Sequence, residues 1–173
     1  QVSDDGSVLV FSTEGGTNAG LYVYSRADPR TPTFLDSALV ADGIHTATVA
    51  DLEGGRYVFA AQNPKHPALL VYDITDPASI ALKATVPIPP AYGIHDTYVR
   101  DGLAFVFAWN TGVIIYDVGN GVRRGSPANP VEVSRLVTAD DNVAGGPSVH
   151  NGWWFHNPAR GENRYLFIGQ EGA

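Results

Sequence analysis

One unit of sequence recurs along this chain, and that recurrence limits the fold more than any single motif does. Residues 93–118 hold its clearest copy. His95-Asp96-Thr97-Tyr98-Val99-Arg100, Leu103-Ala104-Phe105-Val106-Phe107-Ala108 and Val113-Ile114-Ile115-Tyr116-Asp117 read as three short strands rich in β-branched and aromatic residues, with glycine turns between them. An earlier copy runs through His45-Thr46-Ala47-Thr48-Val49-Ala50, Arg56-Tyr57-Val58-Phe59-Ala60-Ala61-Gln62, Ala68-Leu69-Leu70-Val71-Tyr72-Asp73 and Ile80-Ala81-Leu82-Lys83-Ala84-Thr85-Val86. Incomplete copies flank these two. Val8-Leu9-Val10-Phe11-Ser12-Thr13-Glu14, Gly20-Leu21-Tyr22-Val23-Tyr24 and residues 32–40 precede them, and Asn151-Gly152-Trp153-Trp154-Phe155 with Tyr165-Leu166-Phe167-Ile168-Gly169 follow.

Phe11, Phe59 and Phe107 are spaced 48 residues apart, Phe167 follows after a longer unit, and Tyr24, Tyr72 and Tyr116 mark the third strands. A unit of four short strands repeating every ~40–50 residues is the pattern of a β-propeller blade. A β-sandwich is the alternative, and it requires no such recurrence. The expectation is an all-β fold, a β-propeller segment of about three and a half four-stranded blades. The units are 1–41 (partial blade), 42–90, 91–141 and 142–173 (partial blade). A ring of roughly six to eight blades is expected to close with remaining blades of the same chain or with a second copy. Both ends, Gln1 and Ala173, read as cut.

Composition narrows the partners. The net charge is −7 and the only lysines are Lys65 and Lys83, which argues against nucleic acid and anionic membrane surfaces, since both need clustered cations. With no cysteine there is no disulfide framework, thiolate metal site or cysteine nucleophile. No run has the apolar length of a transmembrane segment.

Leu69-Leu70-Val71-Tyr72-Asp73-Ile74-Thr75-Asp76-Pro77 and Val113-Ile114-Ile115-Tyr116-Asp117-Val118 each carry a hydrophobic third strand ending in Asp, the first followed by Asp-Pro. In this the chain resembles the LVIVD-repeat β-propellers, a group overlapping with choice-of-anchor-type surface proteins. The first unit departs from the pattern, with Ser25 after Tyr24 and Asp28-Pro29 displaced. The resemblance implies an exported, periplasmic or cell-surface protein acting as a binding or interaction module, with a protein or small-molecule ligand on the propeller face. A more distant similarity, in the use of histidine alone, is to propellers of the selenium-binding-protein and nitrous-oxide-reductase types, which hold copper.

Three of the five histidines, His45, His95 and His150, open the first strand of a unit, behind Gly43-Ile44, Gly93-Ile94 and Ser148-Val149. First strands border a propeller's channel, so these imidazoles are expected to converge at one mouth. The ends of the second strands, Glu14, Gln62, Asn110 and Gln170 with Glu171, belong to the same mouth. Imidazoles with a carboxylate or amide beside them suit copper, zinc, iron or another divalent ion. The competing explanation is that duplication copied a polar residue which hydrogen-bonds the neighbouring blade.

His156 stands six residues beyond His150, about 20 Å along a strand, and is expected to cap the turn at Asn157-Pro158. His66, in Asn63-Pro64-Lys65-His66-Pro67, reads as a solvated loop residue. One of Trp153 and Trp154 is expected to face the channel and the other to pack between blades. Trp109 is expected to cover a blade edge rather than line the mouth. Asp73 and Asp117 precede turns and are expected to accept backbone N–H bonds there. Asp140-Asp141-Asn142 lacks the glutamate of a calcium loop, and no nucleophile elbow or phosphate-cradling loop occurs. Two functions follow: an exported binding module, or a metal-dependent enzyme, such as an oxidoreductase, using the histidine ring.

Overall fold

A computed structural model describes residues 1–62, 65–88, 93–137 and 148–171. The fold is all-β, a β-propeller segment of four antiparallel sheets, with no closed barrel. The first sheet holds β1 (Val8–Thr13), β2 (Gly20–Ser25) and β3 (Thr33–Leu39). The second holds β4 (Ile44–Leu52), β5 (Gly55–Gln62), β6 (Ala68–Asp73) and β7 (Ala81–Pro87). The third holds β8 (Asp96–Arg100), β9 (Leu103–Phe107), β10 (Val113–Asp117) and β11 (Val131–Leu136). The last pairs β12 (Ser148–Trp154) with β13 (Leu166–Glu171). A bridge from Val2 to Leu9 sets the start of the chain beside β1, where that blade's inner strand belongs. Among the described residues the only helical turn is a 3-10 turn at Pro158–Arg160, and no helix is long and apolar enough to cross a membrane. The unit limits at 90 and 141 and the Asp140-Asp141-Asn142 segment lie outside the described residues.

Middle strands are sandwiched on both faces, so they read as unbroken apolar runs rather than as alternation. In β6 five of six residues are buried, whereas β7 at the sheet edge is mostly exposed. Three cores follow one another between successive sheets. Val10, Leu21 and Val23 of the first sheet meet Ile44, Val58 and Leu70 of the second. Phe59 and Val71 then meet Val106 and Ile114, and Phe105 and Phe107 meet Val149 and Trp154. Blade-on-blade burial of this kind is the main source of stability in a repeat array.

Backbone register tests the recurring aromatics one at a time. Tyr24, Tyr72 and Tyr116 are true equivalents, because each follows a bulge placed between it and the preceding residue of its strand. The extra residue lies on the outer strand, and bulges there twist an open edge away from further pairing. Phe11 is not equivalent to Phe59 and Phe107. Val8 leaves its hairpin against Ser3, as Gly55 does against Leu52 and Leu103 against Arg100. Counted from there, Ser12 matches Phe59 and Phe107, and Phe11 matches Val58. A one-residue slip in a strand reverses the face. Phe11 accordingly points away from the first core and stacks on Tyr22 and Tyr24, with ring centroids 5.3 and 5.4 Å away.

Candidate metal centre

Each of the three repeat histidines follows a fully buried aliphatic anchor, Ile44, Ile94 or Val149. The histidine itself falls on an irregularity of the ladder. Ile44 pairs with Gln62 and Thr46 with Ala61, so His45 is the extra residue of a bulge. Val149 pairs with Gln170 and Asn151 with Gly169, which leaves His150 in the same situation. The His95 N–H donates to the Phe107 carbonyl oxygen (2.8 Å), although Phe107 is the register partner of Asp96. Bulges re-aim a side chain out of the alternation. Here they turn three imidazoles toward one another.

The ring centroids of His45 and His95 lie 4.2 Å apart, and those of His95 and His150 lie 3.5 Å apart. His45 Nε2 is 2.9 Å from His95 Nε2. Two nitrogens bound to one ion at ~2.05 Å would stand about 2.9 Å apart at a right angle and about 3.3 Å apart at the tetrahedral angle. The observed separation matches the first. His95, His150 and Glu171 each offer a ligand atom within 4.8 Å of the other two. Glu171 also lies 3.4 Å from His150 Nε2. On the opposite flank Glu14 contacts His45 Nδ1. Glu14 is brought there by Gly43, whose φ of +76° suits glycine and whose added Cβ would lie 2.8 Å from Glu14 Cα.

The imidazoles are not alike electrostatically. Burial, followed by the neighbouring His45 and His150, lowers the pKa of His95 to about 4, with Glu171 acting in the opposite sense. His95 is therefore neutral at pH 7, the protonation state a metal requires. Its Nδ1 is buried and has no hydrogen-bond partner among the described residues. Next to it, burial raises the carboxyl pKa of Asp96, against the hydrogen bonds of Thr97 and Thr46. The hydroxyls of Ser12 and Thr46 donate to the carbonyls of His45 (3.2 Å) and His95 (3.0 Å), fixing the backbone that carries the rings.

The five site residues Glu14, His45, His95, His150 and Glu171 thus form one continuous row. Gln62 and Gln170 stand at its edge by register, opposite Ile44 and Val149. Asn110 lies in the turn where the Ala108 N–H donates to the Gly112 carbonyl (2.9 Å). Trp109 differs from expectation. Its indole does not merely cover an edge but packs edge-on against His95 (5.2 Å) and His150 (6.3 Å). Asp96 and Gly43 also belong to this neighbourhood, and no spacing in the sequence pointed to them.

The remaining histidines lie elsewhere. His66 is exposed and reaches Asp42 (2.6 Å). His156 stacks on Trp154 (6.2 Å) instead of capping the following turn, and Asn157 at that cap makes no side-chain bond. Trp154 packs between blades on Phe105, and Trp153 lies exposed beside Tyr98. No family model, curated protein or solved structure matches the chain.

Proposed function

We propose that this chain is a metal-binding module of an exported or cell-surface β-propeller of the LVIVD-repeat type. On this reading a divalent transition ion is held at the channel mouth. The observation that carries the proposal is the convergence of His95, His150 and Glu171 within 4.8 Å, with His45 Nε2 at 2.9 Å from His95. Imidazole with carboxylate suits zinc, copper and iron rather than calcium or magnesium. Neutrality of His95 at pH 7 supports it, because no proton has to be displaced there. Three or four protein donors also leave positions for water or substrate, as in catalytic rather than closed structural sites. The placement outside the cytoplasm and the family assignment rest on the third-strand motif that ends at Asp73 and Asp117.

Elemental analysis of the chain purified without an affinity tag tests the proposal, alongside His95→Ala and Glu171→Gln. Near-stoichiometric zinc, copper or iron in the parent, with loss in His95→Ala and depletion in Glu171→Gln, is the expected result. A folded parent without metal, which takes up none on dialysis against these ions, would sink it.

A further inference from the structure

The backbone of Trp109 has a φ of +45°, a left-handed conformation unfavourable for any residue with a Cβ and most out of place for a bulky aromatic. Asparagine tolerates that conformation far better, and the next residue is Asn110. Strain of this kind persists only where the surroundings over-determine it, and it gathers at functional sites. The surroundings of Trp109 are the candidate ligands themselves. Its indole meets the His95 ring edge-on at 5.2 Å and an interplanar angle of 77°, and the His150 ring at 6.3 Å and 82°. Its carbonyl oxygen accepts the N–H of Gly112 (3.2 Å), closing the turn, and that of Val149 (3.1 Å), the residue before His150. One strained residue of the third blade thus holds its own blade's imidazole by the side chain and the next blade's by the backbone.

A liganding imidazole is normally oriented by a hydrogen bond to its second ring nitrogen. His45 has Glu14 and His150 has Glu171 in that neighbourhood. His95 has no such partner on Nδ1 among the described residues. Ring packing from His45, His150 and Trp109 is what remains to orient it. We propose that Trp109 is the positioning residue of the metal centre, replacing by indole contact the polar second partner that His95 lacks. The inference rests on the metal reading above.

The test uses Co2+ as probe on the parent, Trp109→Gly and Trp109→Phe, with affinity and the visible d–d spectrum measured on folded, metal-stripped protein. Trp109→Gly relieves the left-handed strain and keeps the carbonyl, so the change falls on the indole alone. It is expected to weaken Co2+ binding about 10–100-fold and to alter the d–d bands, while Trp109→Phe restores most of the affinity and the parental spectrum. Unchanged affinity and spectrum in folded Trp109→Gly would overturn the assignment while leaving the metal centre intact. Failure of Trp109→Gly to fold would also overturn it, by giving the indole a structural role. A parent that binds no Co2+ defeats the metal reading itself, before any Trp109 variant is examined.

Discussion

Replacing Asp117 probes how the third blade accommodates the insertion at residues 121–126. Asp117 ends β10 and is fully enclosed. Its Oδ1 accepts the N–H groups of Gly119 (3.0 Å) and Gly121 (3.2 Å), and its Oδ2 accepts that of Arg123 (2.6 Å). Burial alone would raise this carboxyl. Backbone donors from Arg123, Gly119, Gly121 and Gly125 outweigh burial and hold it well below the usual carboxylate range. In Asp117→Asn one oxygen becomes an NH2 group, so at least one backbone N–H faces another N–H however the amide turns. Charge-assisted bonds contribute about 1.5–3 kcal/mol each. The donors belong to an exposed loop, where water replaces part of the loss, so the expected destabilisation is about 2–4 kcal/mol. For a chain of this length that lowers the thermal midpoint by about 4–16 °C.

Urea unfolding of Asp117→Asn beside Asp73→Asn is the assay. Asp73 holds the same place in the preceding blade but accepts only the Thr75 N–H (2.9 Å) and pairs with a partly exposed Lys83 (3.3 Å). Its replacement is expected to cost under about 1 kcal/mol. Because Asp117 is depressed in the folded state, its stabilisation is complete above the unfolded pKa of about 3.9 and is lost as pH falls below it. The gap between parent and variant should narrow on acidification through that range. Equal effects at the two aspartates, or a change under about 0.5 kcal/mol at Asp117, would refute this account of the loop.

A Cβ added at Gly152 would lie 2.4 and 2.6 Å from the Phe107 ring and 2.7 Å from the Phe167 carbonyl oxygen. Phe107 is fully buried between blades, so Gly152→Ala is expected to destabilise by about 1–3 kcal/mol in urea unfolding. The His95 pKa is lowered in the folded state to about 4, against an unfolded value of about 6.5. Between those two pH values the unfolded chain takes up a proton that the folded one refuses, so stability falls as pH is lowered through that window. Discounted for partial solvent screening, the loss is about 1–2 kcal/mol, and metal-free His95→Gln should show a flatter stability profile across the window.

The fold was legible because its signals are local and repeated. Middle strands such as Ala68–Asp73 read as unbroken apolar runs, and glycine turns separate them from their neighbours. The third-strand tyrosines are equivalent by backbone register as well as by spacing. Phe11 was misleading for a definite reason. Residue counts measure chain length, whereas the face of a strand depends on parity from the hairpin, and the first hairpin is built around a longer loop from Ser3 to Val8. The histidines could be found by their recurrence, but not the bulges that aim them, since a bulge is a property of two paired strands. Trp109 was hidden because its place depends on a left-handed backbone and on a contact to the next blade.

Whether the three imidazoles are a site or inherited scaffold turns on two comparisons. Scaffold residues on inner strands should tie one blade to the next, but hydroxyls already do that. Ser12 and Thr46 bond the carbonyls of His45 and His95, and Thr48 bonds that of Thr97 (2.7 Å), whose own hydroxyl returns to Thr48 and to the Phe59 carbonyl. Copies kept only by duplication should also retain matching surroundings. These do not: Glu14 reaches His45 from the preceding blade, Glu171 reaches His150 from the same blade, and His95 has aromatic rings on its flanks and no partner on Nδ1. Three equivalent positions with three different supports, all directed at one point, are what a shared ligand would require and what packing alone would not produce.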